Sequence, residues 1–438
     1  METTKNVIQG KDTGSGGQTK PRDIPVKYGK RIKHYNTSKM PRRPAFWTTP
    51  IIQLGSKILL SKVERTVNID EATKTMKPPF LLLCNHMQFF DFAVIARAFK
   101  RWKICNVVAV DAFSVSRWLI NQIGSIPKRK FVSSPVIVKQ IRHALVNLKV
   151  IAALYPEARY TVSGTTAIIP VSVAKMAKIL KVPVVTAIFR GHHLRKPSWG
   201  INGNIRNVPL RCDIKNILTV EDIERNDWQS LDKIIQDAFK YNEYDYQREN
   251  NILIKEDRRA EGLEKILYKC TKCGKEFDMK GIGSVLKCGN CGSEFQLLEN
   301  GELSGCQFKT IPEWFEWERD EVRKEIERGE YSYIENSMRC WSLPDLKKFI
   351  YIGEVNFVHN REGLRIDGRY RGEDFSISRK SAEQYSIQVE FDLSYLKGVD
   401  IFAINTENDT YYIAPKNPQV IQKISFAVEE MYKIETGS

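Results

Sequence analysis

The chain has 438 residues and a formal net charge of +16. That length allows two or three domains and a sizeable buried core. No run approaches the roughly 20 apolar residues of a membrane-spanning helix, and the N-terminus lacks the apolar stretch of a signal peptide. The expectation is a protein kept in the cytoplasm with an anionic partner: nucleic acid, a phosphorylated substrate or an anionic membrane surface.

Residues 1–45 hold eleven Lys and Arg against three Asp and Glu, and their first half is rich in Gly, Ser and Thr. A disordered basic segment is expected there. Arg42-Arg43-Pro44-Ala45-Phe46-Trp47 then leads into an amphipathic helix over 51–60. Its basic and aromatic flanks suit either a lipid interface or packing on the body of the protein. From 63 to 190, strand-like runs (80–84, 106–110, 152–155, 182–189) alternate with helix-like ones (92–101, 115–123, 136–149, 171–180). Alternation of this kind predicts a layered α/β domain, here over 46–213.

Residues 214–267 are expected to be a helical connector, amphipathic over 221–239 and a long helix over 241–267. Residues 268–297 form a cysteine unit, and 298–345 a charged helical linker. From 346 to 438, short alternating segments predict a small antiparallel β domain with a closing helix over 418–433. That order is similar to a pleckstrin-homology-like barrel.

Asn85-His86-Met87-Gln88-Phe89-Phe90-Asp91 follows the apolar run 80–84 directly. Imidazole has the unperturbed pKa nearest neutrality, and a carboxylate on its second nitrogen would fix the tautomer. In a straight helix, positions five apart are turned about 140° from each other. The pair can therefore meet only if His86 precedes the helix and Asp91 lies in its first turn. Phe89, Phe90 and Phe92 are read as helix packing; His192 and His193 follow the fourth strand, where they could sit near the site, and are read as loop residues.

Three further segments accompany this pair. Gly124-Ser125-Ile126-Pro127-Lys128-Arg129-Lys130 sets a turn before three cations. Tyr155-Pro156-Glu157-Ala158-Arg159 ends a strand with an acid and a guanidinium. Lys181-Val182-Pro183-Val184-Val185 opens another strand. In order and spacing the four blocks resemble those of the glycerolipid acyltransferases, over about 81–189.

The resemblance implies that His86 is the general base for the acceptor hydroxyl, oriented by Asp91. It implies that Gly124, Lys128, Arg129, Lys130, Glu157 and Arg159 bind the acceptor's glycerol phosphate. Lys130 stands where the family usually has arginine, Ala158 where it has glycine, and Tyr160 where serine or threonine is common.

Cys270-Thr271-Lys272-Cys273-Gly274 and Cys288-Gly289-Asn290-Cys291-Gly292 are two knuckles fourteen residues apart. Four thiolates in this pattern make a closed structural zinc site, and the unit resembles a zinc ribbon. Phe277 and Phe295, at matching places after each knuckle, are expected to cover it. The ribbon lacks a base-stacking series, so a structural or docking role is favoured over nucleic acid. Cys84, Cys105, Cys212, Cys306 and Cys340 read as buried thiols.

The leading expectation is an acyltransferase on the cytoplasmic face of a membrane. It would use acyl-CoA or acyl-carrier protein as donor and convert 1-acylglycerol-3-phosphate to phosphatidic acid. The competing one is a non-catalytic zinc-ribbon protein that binds nucleic acid or a protein partner. Only the first needs His86 with Asp91.

Overall fold

The computed structural model describes residues 23–132, 134–201 and 205–437. Helix α1 (Thr48–Leu59) leads to β1 (Arg65–Ile69), the short α2 (Glu71–Thr75) and β2 (Leu81–Cys84). Then follow α3 (Asp91–Ala98), β3 (Ile104–Ala109), α4 (Arg117–Gln122), β4 (Ile126–Lys128), α5 (Pro135–Arg142) and β5 (Ile151–Leu154). After them come α6 (Ser172–Leu180), β6 (Val184–Arg190), α7 (His192–Arg195) and β7 (Leu210–Leu218). The seven strands form one sheet in the order β1-β7-β6-β2-β5-β3-β4, parallel except where β6 meets β7.

Strand β2 lies near the centre, and its four apolar residues are fully buried. Both faces of the sheet are covered, which is why its strands read as continuous apolar runs. The mixed α/β class expected from the alternation is the one that forms. Lys128 belongs to an edge strand rather than a loop, and an edge tolerates Pro127 because its missing N–H breaks no inner ladder.

The region after residue 213 departs from expectation. Strand β7 carries the sheet on to Leu218 before α8 (Val220–Arg225) and α9 (Trp228–Ala238). The long helix expected over 241–267 is only α10 (Glu243–Glu249). Asn250 and Asn251 end it, with Asn251 in the left-handed region at φ 50°. Beyond it, Ile252 and Ile254 enter the core two residues apart, and Leu263, Ile266 and Leu267 enter it from a single 3-10 turn at Leu263–Lys265.

A four-stranded antiparallel sheet follows: β8 (Met279–Ile282), β9 (Val285–Cys288), β10 (Glu294–Leu297) and β11 (Leu303–Ser304). Helix α11 (Ile311–Glu327) crosses to the last sheet. This has β12 (Tyr333–Ser342), β13 (Ile350–Asn360), β14 (Gly363–Tyr370), β15 (Glu373–Lys380), β16 (Gln388–Leu393), β17 (Val399–Asn405) and β18 (Thr410–Ala414). Its strand order is β15-β14-β13-β12-β18-β17-β16, antiparallel throughout, and α12 (Val420–Thr436) closes the chain.

These parts share cores. Leu194, Trp199 and Val208 pack in one cluster with Phe295 of the cysteine unit, Trp314 of α11 and Phe426 of α12. Val110 and Phe113 pack with Leu343, Leu346, Ile401 and Tyr412 of the C-terminal sheet.

Residues 1–22 lie outside the described residues. From Asp23 onward the N-terminal segment is ordered against the C-terminal sheet, not free as composition predicts. Ile24 and Ser376 exchange backbone hydrogen bonds, and Val26 and Tyr28 are buried in that sheet's core. The buried Val26 and a tyrosine that bonds Asp409 at 2.8 Å outweigh the polar composition around them. No helix among the described residues is long and apolar enough to cross a membrane.

Candidate active site and metal centre

Helix α3 begins at Asp91, so His86 lies in the loop ahead of it and the geometric condition on the pair is met. His86 Nδ1 is 3.0 Å from Asp91 Oδ2. The same oxygen accepts the backbone N–H groups of Met87 at 2.8 Å and Gln88 at 3.0 Å, which wraps the loop around the carboxylate. The Asn85 amide pairs with both the N–H and the carbonyl of Phe189 and fastens the loop to β6. The Thr161 N–H donates to the His86 carbonyl at 2.8 Å.

Asp91 is fully buried. Burial opposes its charge, but hydrogen bonds from His192 and His86 outweigh that and hold its pKa below the usual carboxylate value. An ionised carboxylate has no proton to give, so His86 Nδ1 carries the shared one. The neutral ring then has Nε2 free to accept a proton. The His86 side chain is 24% exposed, between the rings of Tyr155 and Tyr160, whose centroids lie 4.3 and 4.4 Å away. Phe89 and Phe92 pack edge to face on each other and are 62% and 38% exposed. They are less buried than helix packing would make them.

Sequence spacing gave no sign of one member of this site. His192 Nδ1 lies 2.7 Å from Asp91 Oδ1, fully buried at the start of α7. It is not a loop residue, because the αL turn at Gly191 swings it inward from the end of β6. Glu243 accepts the Gly191 N–H at 3.0 Å and anchors that turn. The only visible signal was a pair of histidines directly after a strand.

The residues expected to bind glycerol phosphate are differently employed. Gly124 serves close packing: a Cβ there would sit 2.7 Å from the Arg42 carbonyl and 2.9 Å from Pro44 Cγ. Glu157 is buried and takes hydrogen bonds from Ala167 N at 2.9 Å, Tyr241 Oη at 3.3 Å and, more weakly, His86 N at 3.4 Å. It braces the histidine loop from beneath. Burial pushes its pKa up to about 7 against those hydrogen bonds.

Lys128 Nζ donates to the Val132 carbonyl. Arg129 donates to Thr410 Oγ1 and the Asn408 carbonyl, both at 2.8 Å. Lys130 pairs with Glu390 at 2.7 Å, and Arg159 with Glu429 at 2.6 Å. Of the blocks, the third reaches the pair, through Tyr160 against His86. The blocks' cations, however, have partners within the chain, three of them on the C-terminal sheet or α12. Ala158 takes φ 56°, the left-handed conformation that suits the glycine expected at its place.

Cys270, Cys273, Cys288 and Cys291 bring their sulfurs within 4.8 Å of one another. The Cys270–Cys291 and Cys273–Cys288 separations are both 3.8 Å. A tetrahedron of Zn–S bonds of about 2.3 Å has edges of about 3.8 Å, so the four sulfurs fit the ion. The knuckles match: Gly274 and Gly292 both take φ 71° and return their N–H to the carbonyls of Cys270 and Cys288. Phe295 is fully buried against Trp314, and Phe277 stacks on Tyr268. Gln419, at the head of α12, exchanges two hydrogen bonds with the Met279 backbone, which docks the unit onto that helix.

No family model matches this chain, and no curated protein matches it by sequence. Among solved structures it is similar to the 1-acyl-sn-glycerophosphate (LPA) acyltransferase PlsC from Thermotoga maritima. That likeness covers 44% of this chain and 78% of the other, at 12% identity and a TM-score of 0.34.

Proposed function

We propose that this chain transfers an acyl group from a thioester, acyl-CoA or acyl-carrier protein, to the hydroxyl of a lipid acceptor. One observation carries the reading: a half-open histidine held by a buried carboxylate at 3.0 Å, with its second nitrogen free, in the block order of the glycerolipid acyltransferases.

His86 Nε2 accepts the acceptor's proton as its oxygen attacks the thioester carbonyl carbon. The tetrahedral adduct collapses, the C–S bond breaks, and the thiolate leaves with the proton that His86 took. Asp91 stays ionised and steadies the imidazolium in between. No acyl-enzyme is needed.

Helix α1 is where the enzyme would rest on lipid. Ile51, Leu54 and Ile58 are 57%, 61% and 65% exposed on one face, and Phe46 ahead of them is 85% exposed. Arg42, Arg43, Lys57 and Lys62 flank that face, and an apolar face with basic flanks supplies the two signals peripheral binding needs. Zinc held by the four cysteines would be structural, because four thiolates leave no open position. The pleckstrin-homology-like reading of the C-terminal sheet is supported by its strand order and closing helix. Its role here would be to brace the catalytic sheet.

A phosphate-bearing acceptor such as 1-acylglycerol-3-phosphate would need a free cation at Lys130 or Arg159, and both are paired. A purely binding role, for nucleic acid or a protein, leaves the His86–Asp91–His192 arrangement without a use. The test is transfer of a labelled acyl chain from acyl-CoA into lipid product across a panel of lipid alcohols. No labelled lipid from any acceptor, with intact and metal-loaded protein, would reject the reading.

A further inference from the structure

We infer that the acceptor is an uncharged lipid alcohol, because carboxylates of the C-terminal sheet and helix already fill the places where an acceptor phosphate would bind. This rests on the acyl-transfer reading above and narrows its substrate.

The Lys130 and Arg159 cations are both already paired. Lys130 and Glu390 are 13% and 16% exposed, and Gln388, which also bonds Asp111, donates to the same Glu390 oxygen. Arg159 is 9% exposed, and its partner Glu429 is fully buried. Glu429 is held further by Ser386 at 2.7 Å and by Arg319 at 2.6 Å. A phosphomonoester entering here would evict both carboxylates, leaving Glu390 without its lysine and Glu429 with Arg319 alone, the costly way to break such pairs.

Withdrawing the whole C-terminal sheet is no easier. Val110 and Phe113 share an apolar core with Leu343, Leu346, Ile401 and Tyr412, and Arg129 is tied to Thr410 and Asn408. Separation would expose all of it to water. The pairs are therefore part of the fold rather than a latch.

The open surface around His86 is of the opposite kind. Tyr155 and Tyr160 flank the ring, and Phe89 and Phe92 of the loop and helix that follow it are exposed. Aromatic walls suit an alcohol with an apolar chain.

The experiment compares 1-decanoylglycerol with 1-decanoylglycerol 3-phosphate as acceptors, both below their micellar concentrations, using the zinc-loaded full chain and acyl-CoA. The uncharged alcohol is expected to give a kcat/KM at least about ten-fold higher. Equal rates, or a preference for the phosphate, would overturn the inference while leaving the acyl-transfer reading intact. If neither is acylated, it is the acyl-transfer reading that fails. Equilibrium dialysis of the same two lipids against His86→Ala, which does not depend on turnover, then decides the inference alone. Binding of the uncharged lipid at least about ten-fold tighter upholds it, and any other order overturns it.

Discussion

His192 hydrogen-bonds Asp91 at 2.7 Å across 101 residues of sequence, so one buried carboxylate serves two imidazoles. His86 takes one oxygen and His192 the other. This fixes the plane of the carboxylate, and with it the direction from which His86 is held. His192 is fully buried, so any effect it has on His86 passes through Asp91.

Replacing His192 with alanine should lower kcat by about ten-fold with little change in KM, since only the orientation of the base is lost. One buried carboxylate oxygen would also lose its donor, costing about 1–3 kcal/mol. His192→Asn can donate from near the same position and should recover most of kcat. Steady-state kinetics and urea midpoints on both variants check this. A stability loss without a kcat effect would make His192 merely structural.

Stability should fall as pH rises between about 5 and 8. Burial raises Glu157 to about 7 and Glu243 to about 8, against the hydrogen bonds each accepts. In the unfolded chain both titrate near 4.3. Across that window the folded state keeps protons that the unfolded state has released, so stability declines with pH and levels off above about 8. Each group contributes up to about 3 kcal/mol.

Asp91 and Glu429 have depressed pKa values, Glu429 at about 2. Their stabilisation is present above the unfolded value near 4 and is lost only below it, outside this window. Urea midpoints at pH 5 and pH 8 test the claim. Glu157→Gln, which matches the protonated form in shape, should flatten the slope.

The purified protein should carry one zinc per chain by elemental analysis. Removing it with a strong chelator should lower the melting temperature of the whole chain. Leu286 and Phe295 of the ribbon share a core with Trp314 and Phe426, so the unit does not unfold alone. A chelated protein that melts unchanged would show that the sulfurs hold no structural ion.

The double substitution Ile51→Glu with Leu54→Glu should weaken co-sedimentation with anionic vesicles by at least about ten-fold, since each apolar side chain contributes about 1.5–3 kcal/mol when buried. Both positions face solvent, so the melting temperature should hold. Equal loss of binding and of stability would place α1 in the core instead.

Much of the first sheet was legible because its periodicity is local. The run into β2, the loop at His86 and the helix from Asp91 follow from adjacent residues, and the CxxC knuckles from spacing alone. The His86–Asp91 contact itself needed only the condition that the histidine precede the helix.

What stayed hidden depends on residues far apart in the chain. Arg159 meets Glu429 across 270 positions and Lys130 meets Glu390 across 260, so no window along the sequence shows that these cations are neutralised. His192 reaches Asp91 through a turn at Gly191 that periodicity cannot place. Tyr28 reads as part of a polar tail until β18 and Asp409 are folded beside it. Ala158 at φ 56° shows the block keeping its backbone shape without its glycine.

The central claim is that His86 is the base for acyl transfer to a lipid hydroxyl. Release of free CoA from acyl-CoA upon addition of a lipid alcohol measures it directly. Intact protein should release CoA only when the acceptor is present, and His86→Ala should retain no more than about 1% of that rate at an unchanged melting temperature. Acceptor-dependent release that continues undiminished in His86→Ala would contradict the account.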